Sequence, residues 1–169
     1  GYVCGATDSA PGHGNSGNGQ HIHTVHGSIL RIDPLAPEET FGSRDAVSAN
    51  GAYRVPWDNP FVGVDGVDEI YVYGFRNPFA FSFDRLSGVP IVADVGQDYV
   101  EEIDIVHKGL NYGWNLKEGD FLFNPNSDLI GLPFEDPSLA DPVAQYDHED
   151  GLSVIGGHMY YGRAIPELR

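Results

Sequence analysis

The stretch from Tyr71 to Trp114 constrains the fold of this chain most, because it holds four short strand-like runs separated by turns. Within it, Phe79, Phe81 and Phe83 alternate with Ala80, Ser82 and Asp84. Such alternation predicts a half-buried strand whose aromatic face points inward. Turn residues divide the runs at the spacing of about 8–12 residues that is typical of all-β domains. The predicted strands are residues 70–75, 79–83, 90–95 and 103–107.

Glycine and proline residues are spread along the whole chain. The 169 residues include 22 Gly and 12 Pro, with no break in composition between the two halves. This pattern predicts one domain, or a piece of one, that is built from short strands and turns and is therefore all-β. No run approaches the roughly 18 apolar residues of a membrane-spanning helix, so no membrane span is predicted.

The charge of the chain limits its partners. Nine Lys and Arg face 25 Asp and Glu, which gives a formal net charge of −16. Such a surface repels nucleic acid phosphates and anionic lipid headgroups, so nucleic acid is not expected as a partner. The acidity is compatible with calcium binding, with a saline habitat, or simply with a solvated surface. The single cysteine, Cys4, cannot form an internal disulfide.

Two further segments are candidates for metal binding. If residues 20–27 form a strand, His21 and His23 share one face and His26 lies on the other. These histidines could bind a transition metal or could be polar loop residues bonded to the backbone. The acidic run 147–151 could hold a cation, but it lacks the ligand spacing of an EF-hand, and a solvated acidic loop is the favoured interpretation.

The flanking segments are assigned more simply. Residues 1–5 and 28–33 read as short strands, and residues 115–150 as a loop-rich acidic region. A last strand is predicted from Leu152 to Tyr161. The glycine-rich loop 9–20 lacks the lysine and the strand-to-helix context of a phosphate-binding loop, so it does not predict nucleotide binding.

Several runs occur together in one order and carry a family resemblance. They read GSILRIDP, YRVPWDNPF, YVYGFRNPFAFSFDRLSG, ADVGQDYVEEIDIVHKGLNYGWNLKEG and GGHMYYGRAIPEL. In this combination the chain resembles the soluble quinoprotein sugar dehydrogenases, the glucose/sorbosone dehydrogenase family. It is also similar to the propeller domain of hedgehog-interacting protein, the branch of the family that is not enzymatic.

The resemblance implies a fold and a reaction. The fold is a six-bladed β-propeller of four-stranded antiparallel sheets. Residues 1–169 would form about two of these blades, as part of a single domain truncated at both ends, with the remaining blades supplied by the same protein or by other chains. The enzymes bind pyrroloquinoline quinone (PQQ) beside calcium, oxidise an aldose sugar, and pass electrons to an acceptor other than NAD.

The resemblance also implies cofactor-binding residues. Arg76 and Asn77 match an Arg-Asn pair that lies beside the quinone in the enzymes, where a fixed cation would stabilise negative charge on the quinone oxygen. The alternative is that Arg76 only packs the turn. Asp8 matches an aspartate near the site, and Gln20 matches a glutamine near the quinone.

Two calcium positions follow from the same comparison. Gly96 and Gln97 match a loop whose backbone carbonyls hold calcium, although many enzymes have Gly-Pro where this chain has Gly-Gln. Glu102 and the carbonyl of Tyr112 match a second, structural calcium position. The alternative for Glu101 and Glu102 is a solvated strand edge.

The resemblance assigns no catalytic residue to this chain. The catalytic histidine of the enzymes is expected before residue 1, and none of the seven histidines here lies in the matching context. The chain alone is therefore expected to be inactive. The resemblance leaves two functions open: part of a PQQ-dependent sugar dehydrogenase, or part of a propeller that binds a protein or ligand without catalysis. It also implies a periplasmic or extracellular location.

Overall fold

The structure is a computed structural model that describes residues 17–124, 127 and 129–168. Apart from two single 3₁₀ turns (Asn18–Gln20 and Pro166–Leu168), every regular element in these residues is a β-strand. The strands are β1 (Ser28–Leu30), β2 (Ala46–Val47), β3 (Arg54–Val55), β4 (Ile70–Tyr73), β5 (Pro78–Phe83), β6 (Pro90–Asp94), β7 (Val100–Ile105), β8 (Lys117–Glu118), β9 (Phe121–Asn124), β10 (Leu129–Pro133) and β11 (Ala144–Asp147).

The largest sheet is a four-stranded antiparallel meander. Its strands lie in the order β11-β7-β6-β5, and Ala93 on β6 pairs with Ile103 on β7, which pairs with Ala144 on β11. Strands β8, β9 and β10 form a three-stranded sheet of their own between β7 and β11 in the sequence. Strands β1 and β4 pair antiparallel, as do β2 and β3.

The hydrophobic core involves residues of β4, of β6 and of the segments that follow β4 and β7. It consists of Val72, Phe75, Val92, Val106 and Tyr112, all almost completely buried. The Phe75 and Tyr112 rings stack with their centroids 4.5 Å apart. Burying each large apolar side chain contributes on the order of 1.5–3 kcal/mol, so this cluster attaches the β1–β4 pair to the four-stranded sheet.

The strand at 79–83 is confirmed, but the prediction that its aromatic face points inward is wrong. Phe79, Phe81 and Phe83 are 38%, 50% and 63% exposed. The other face of the strand is the covered one, since the Ser82 hydroxyl donates a hydrogen bond of 2.7 Å to the Gly157 carbonyl. The alternation of aromatic and small or polar residues therefore showed that the two faces of this strand differ. Which face is covered depends on the segment around Gly157.

Three other predictions of local structure are also wrong. Residues 152–161 form no strand; this segment is irregular and is attached by hydrogen bonds such as Tyr161 Oη to Asp84 Oδ1 at 2.7 Å. Residues 21–27 form turns, so the histidines there do not share a strand face. The region 115–150, predicted to be loop-rich, contains four strands, β8 to β11.

Two sequence predictions, the strand at residues 1–5 and the role of Asp8, lie outside the described residues. Within the described ranges, no helix has the length and apolar character needed to cross a membrane.

Candidate functional site

The site is built on the turn between β4 and β5, which carries Arg76 and Asn77. The carboxylate of Asp94, the last residue of β6, accepts the backbone N–H of Arg76 at 2.9 Å and that of Asn77 at 2.7 Å. Gly74 enters the turn with φ of 89°, and a Cβ there would lie 2.2 Å from the Asn111 side-chain oxygen. The turn is therefore held in place by an adjacent strand and by a position that only glycine can occupy.

The guanidinium of Arg76 is fixed by three contacts. Its Nε donates to Gln97 Oε1 at 2.7 Å, and its Nη1 donates to the Val95 carbonyl at 2.9 Å. The guanidinium carbon also lies 5.9 Å from the ring centre of Trp114, which is buried. The structure thus brings together two predicted site residues, Arg76 and Gln97, that are 21 residues apart in the sequence.

A buried carboxylate lies directly behind this arginine. The pKa of Asp94 is raised to about 7, chiefly by burial and to a smaller extent by the nearby Glu101 charge. The two backbone N–H groups and the Arg76 charge act in the opposite direction. The sequence did not single out Asp94; its position at the end of a strand that leads into the glycine loop was the only available signal.

The two glutamates on β7 are buried, so the alternative of a solvated strand edge is wrong. Glu101 is 0% and Glu102 is 7% exposed. Glu102 Oε1 accepts the Gly119 N–H at 2.6 Å, and burial raises the pKa of Glu102 well above its usual range, with Asp104 adding to the increase. Ionised carboxylates are costly to bury, and this cost is the reason that the pKa is raised.

Lys117 is a cation whose charge acts on this acidic group. Its side chain is 2% exposed, and its Nζ lies 2.5 Å from Asp141 Oδ1. Its charge lowers the pKa values of Glu102 and Asp104, although burial keeps both raised overall. Asp104 is fully buried, and neither of its carboxylate oxygens has a hydrogen-bond partner in the described part of the chain.

Tyr112, the other residue of the predicted second calcium position, lies in the core. Its hydroxyl accepts the His107 N–H at 2.9 Å and donates to the Ile105 carbonyl at 2.8 Å. Burial raises the pKa of Tyr112 to about 12. The pairing of the Tyr112 carbonyl with Glu102 around a calcium ion stays a prediction.

Gln20 supports the loop that backs Arg76. Its amide exchanges two hydrogen bonds with the Asn111 amide, at 3.0 and 2.8 Å, and donates to the Trp114 carbonyl at 2.6 Å. Gln20 therefore fixes the segment that presents the Trp114 ring. A direct contact between Gln20 and a quinone stays a prediction.

The glycine loop between β6 and β7 fits a cation that is bound by backbone oxygens. A Cβ at Gly96 would lie 1.8 Å from the Val100 carbonyl oxygen, so only glycine allows the chain to close here. Carbonyl oxygens are preferred ligands of calcium. Among the described residues, no group of three or more His, Cys, Asp or Glu side chains is arranged to hold a metal, so a cation at this loop depends on carbonyls.

The fold and the site together define a class of protein. A four-stranded antiparallel meander whose face packs against a neighbouring sheet is the repeating unit of a β-propeller. The chain belongs to the Glucose / Sorbosone dehydrogenase family, whose family model matches residues 12–169.

Curated relatives include both plant and bacterial proteins. The chain is 35% identical to the HIPL2 protein of Arabidopsis thaliana over 156 residues, which cover 87% of this chain and 22% of that protein. It is 34% identical to Quinoprotein glucose dehydrogenase B of Acinetobacter calcoaceticus over 98 residues, or 57% of this chain and 16% of that protein. The chain thus spans about a fifth of the length of these relatives.

Solved structures confirm the fold. The PQQ-bound Aldose Sugar Dehydrogenase from Streptomyces coelicolor matches with a TM-score of 0.58 and 25% identity, covering 86% of this chain and 33% of that one. The apo-form of the soluble Aldose sugar dehydrogenase from Escherichia coli matches with a TM-score of 0.61 and 24% identity, covering 90% and 39%. Coverage of about a third agrees with the prediction of about two blades of a six-bladed propeller.

Proposed function

We propose that the protein carrying this chain is a PQQ-dependent, calcium-requiring dehydrogenase that oxidises aldose sugars at the anomeric carbon. The observation that carries the proposal is the Arg76 guanidinium, which Gln97 and the Val95 carbonyl hold beside the Gly96 loop. PQQ, when bound, supplies the two-electron acceptor for the hydride that leaves the sugar. The PQQ-bound relative from Streptomyces coelicolor supports this choice of cofactor.

This chain would contribute to the reaction by electrostatic stabilisation. A guanidinium that is already oriented stabilises negative charge on a cofactor oxygen without reorganising during the reaction. Asp94 holds the Arg76–Asn77 turn through two backbone hydrogen bonds, and the Trp114 ring centre lies 5.9 Å from the guanidinium carbon. Arg76 and Asn77 would contact the cofactor, whereas Asp94 and Trp114 would position them.

Calcium would be bound at the two predicted positions. The carbonyls of Gly96 and Gln97 would hold the ion beside the cofactor, and Glu102 with the Tyr112 carbonyl would hold the structural ion. The buried acidic residues on β7 support the second position, because a divalent cation would offset charge that Lys117 only partly balances. The proton-accepting base is not assigned to this chain, and the electron acceptor would be external.

The test is a dye-reduction assay on the full-length protein, with PQQ, calcium and a panel of aldoses. The expected result is aldose-dependent reduction that is abolished by a calcium chelator and reduced in Arg76→Gln. No reduction with any aldose, together with no change in the quinone absorbance on mixing, would refute the proposal. We expect the protein in periplasmic or extracellular fractions, which cell fractionation would check.

A second candidate is a propeller that binds a protein or ligand without catalysis, of the hedgehog-interacting type. It is favoured by the HIPL2 and HIPL1 proteins, which align over 87% of this chain, whereas the two bacterial dehydrogenases align over 57% and 37%. Calcium binding without a quinone absorbance change would support this candidate over the first.

A further inference from the structure

The glycine loop is held from behind by two buried carboxylates. Glu118 Oε1 accepts four consecutive backbone N–H groups, those of residues 97 to 100, at 2.8, 3.1, 3.1 and 3.1 Å. Glu101 Oε2 accepts the N–H of Gly96 at 3.3 Å and that of Val154 at 2.9 Å. Successive N–H groups that converge on one point form a concave anion site, and here the anion is a side chain of the same molecule.

This arrangement fixes the direction of the carbonyls in the loop. In a trans peptide, the N–H of one residue points opposite to the C=O of the residue before it. If the N–H groups of residues 96–100 point at the carboxylates, the carbonyls of residues 95–99 point away from them. Two of these carbonyls confirm the direction, because Val95 accepts from Arg76 Nη1 at 2.9 Å and Tyr99 accepts from the His148 N–H at 3.1 Å.

Between those two lie the carbonyls of Gly96, Gln97 and Asp98. They follow one another in a loop that Gly96 allows to close against Val100. Of these, the Gly96 and Gln97 carbonyls belong to the predicted calcium position, and backbone carbonyl oxygens are ligands that calcium prefers.

Glu118 is a buried residue and not a surface group. Its side chain is 0% exposed, and its second oxygen, Oε2, has no hydrogen-bond partner within the described residues. A buried carboxylate is expensive unless its charge is used, and four N–H donors to one oxygen compensate only part of that cost. A divalent cation on the other side of the loop would offset the rest.

We propose that Glu118 is a positioning residue for calcium: its carboxylate gathers four backbone N–H groups and thereby holds in place the loop that carries the Gly96 and Gln97 carbonyls. The inference rests on the proposed function, from which it takes the calcium position at Gly96 and Gln97. It adds the residue that prepares this position.

The test is a calorimetric titration of calcium into the full-length, quinone-free protein. Glu118→Gln keeps an acceptor oxygen and removes the charge, while Glu135→Gln removes the same charge from an exposed position and serves as the matched control. Loss of an outer-shell residue typically weakens metal binding by about 10–100-fold, and we expect that loss at one calcium site in Glu118→Gln. Glu135→Gln should remain within about twofold of wild type, a limit set by the weak, screened effect of an exposed charge.

A second readout separates positioning from general destabilisation. The amides of residues 97–100 should exchange hydrogen faster in Glu118→Gln than in wild type, while the amides of the buried strand β6 exchange at the wild-type rate. If Glu118→Gln does not fold, Glu118→Asp replaces it; the shorter side chain keeps the charge but cannot reach all four amides, so weaker calcium binding is again expected.

Calcium binding by Glu118→Gln that equals wild type would overturn the inference and leave the proposed function intact. Wild-type protein that binds no calcium would overturn both, because the ion itself would be missing.

Discussion

Replacing Gln97 by alanine isolates the contact that joins the arginine turn to the glycine loop. The substitution deletes the side-chain oxygen that accepts from Arg76 Nε at 2.7 Å. It leaves the Gln97 backbone carbonyl and the Gln97 N–H bond to Glu118 in place. We therefore expect the orientation of Arg76 to suffer while the predicted calcium loop keeps its shape.

The size of the effect follows from the contacts that remain. A hydrogen bond to a charged group contributes about 1.5–3 kcal/mol. Arg76 keeps its bond to the Val95 carbonyl at 2.9 Å and its position over Trp114, so the lower end of that range applies. About 1.5 kcal/mol corresponds to roughly a tenfold rise in the dissociation constant for PQQ.

The assay is a PQQ titration of the full-length protein at saturating calcium, followed by absorbance. Gln145→Ala is the matched control, because Gln145 is an exposed glutamine whose amide bonds only to Asp120 among the described residues. Gln97→Ala should raise the dissociation constant about tenfold, and Gln145→Ala should leave it unchanged. A Gln97→Ala protein that binds PQQ as tightly as wild type would refute the reasoning, since Arg76 would then be oriented without Gln97.

Two further predictions concern the framework around the site. Tyr112→Phe removes the hydroxyl that accepts from the His107 N–H and donates to the Ile105 carbonyl, so it should cost roughly 1–3 kcal/mol in urea unfolding, and a loss below about 0.5 kcal/mol would contradict this. Hydrogen bonds from Ser87 and then Tyr161 hold the pKa of Asp84 well below its usual range. That stabilisation is present above the unfolded pKa of 3.8 and is lost as the pH falls towards the folded value. Tyr161→Phe should therefore lower the melting temperature at pH 6 more than at pH 3, and equal losses at both pH values would count against it.

The alternation of residues along the chain was enough to predict an all-β fold but not which faces are buried. Phe79 to Phe83 form the predicted strand, yet their rings are the exposed side, because a segment about 75 residues later covers Ser82. Alternation is a local property, whereas the covering segment is set by tertiary contacts. For the same reason residues 152–161 have the composition of a strand and serve instead as an irregular cover.

The buried acidic residues were the least predictable part of the site. Glu101, Glu102 and Glu118 occur in an acidic chain where a solvated surface is the ordinary expectation. They accept hydrogen bonds from backbone N–H groups, which any residue carries and which leave no mark in a sequence, and Glu101 also pairs with the His148 ring 47 residues later. Arg76 and Gln97 were found only through a family resemblance, and the hydrogen bond between them became visible only in three dimensions.

The most direct test of the account is a crystal structure of the full-length protein grown with calcium and PQQ. The account predicts a calcium ion about 2.3–2.6 Å from the carbonyl oxygens of Gly96 and Gln97, with the Arg76 guanidinium in contact with a quinone oxygen. A calcium ion bound elsewhere, or a quinone that does not touch Arg76, would contradict it.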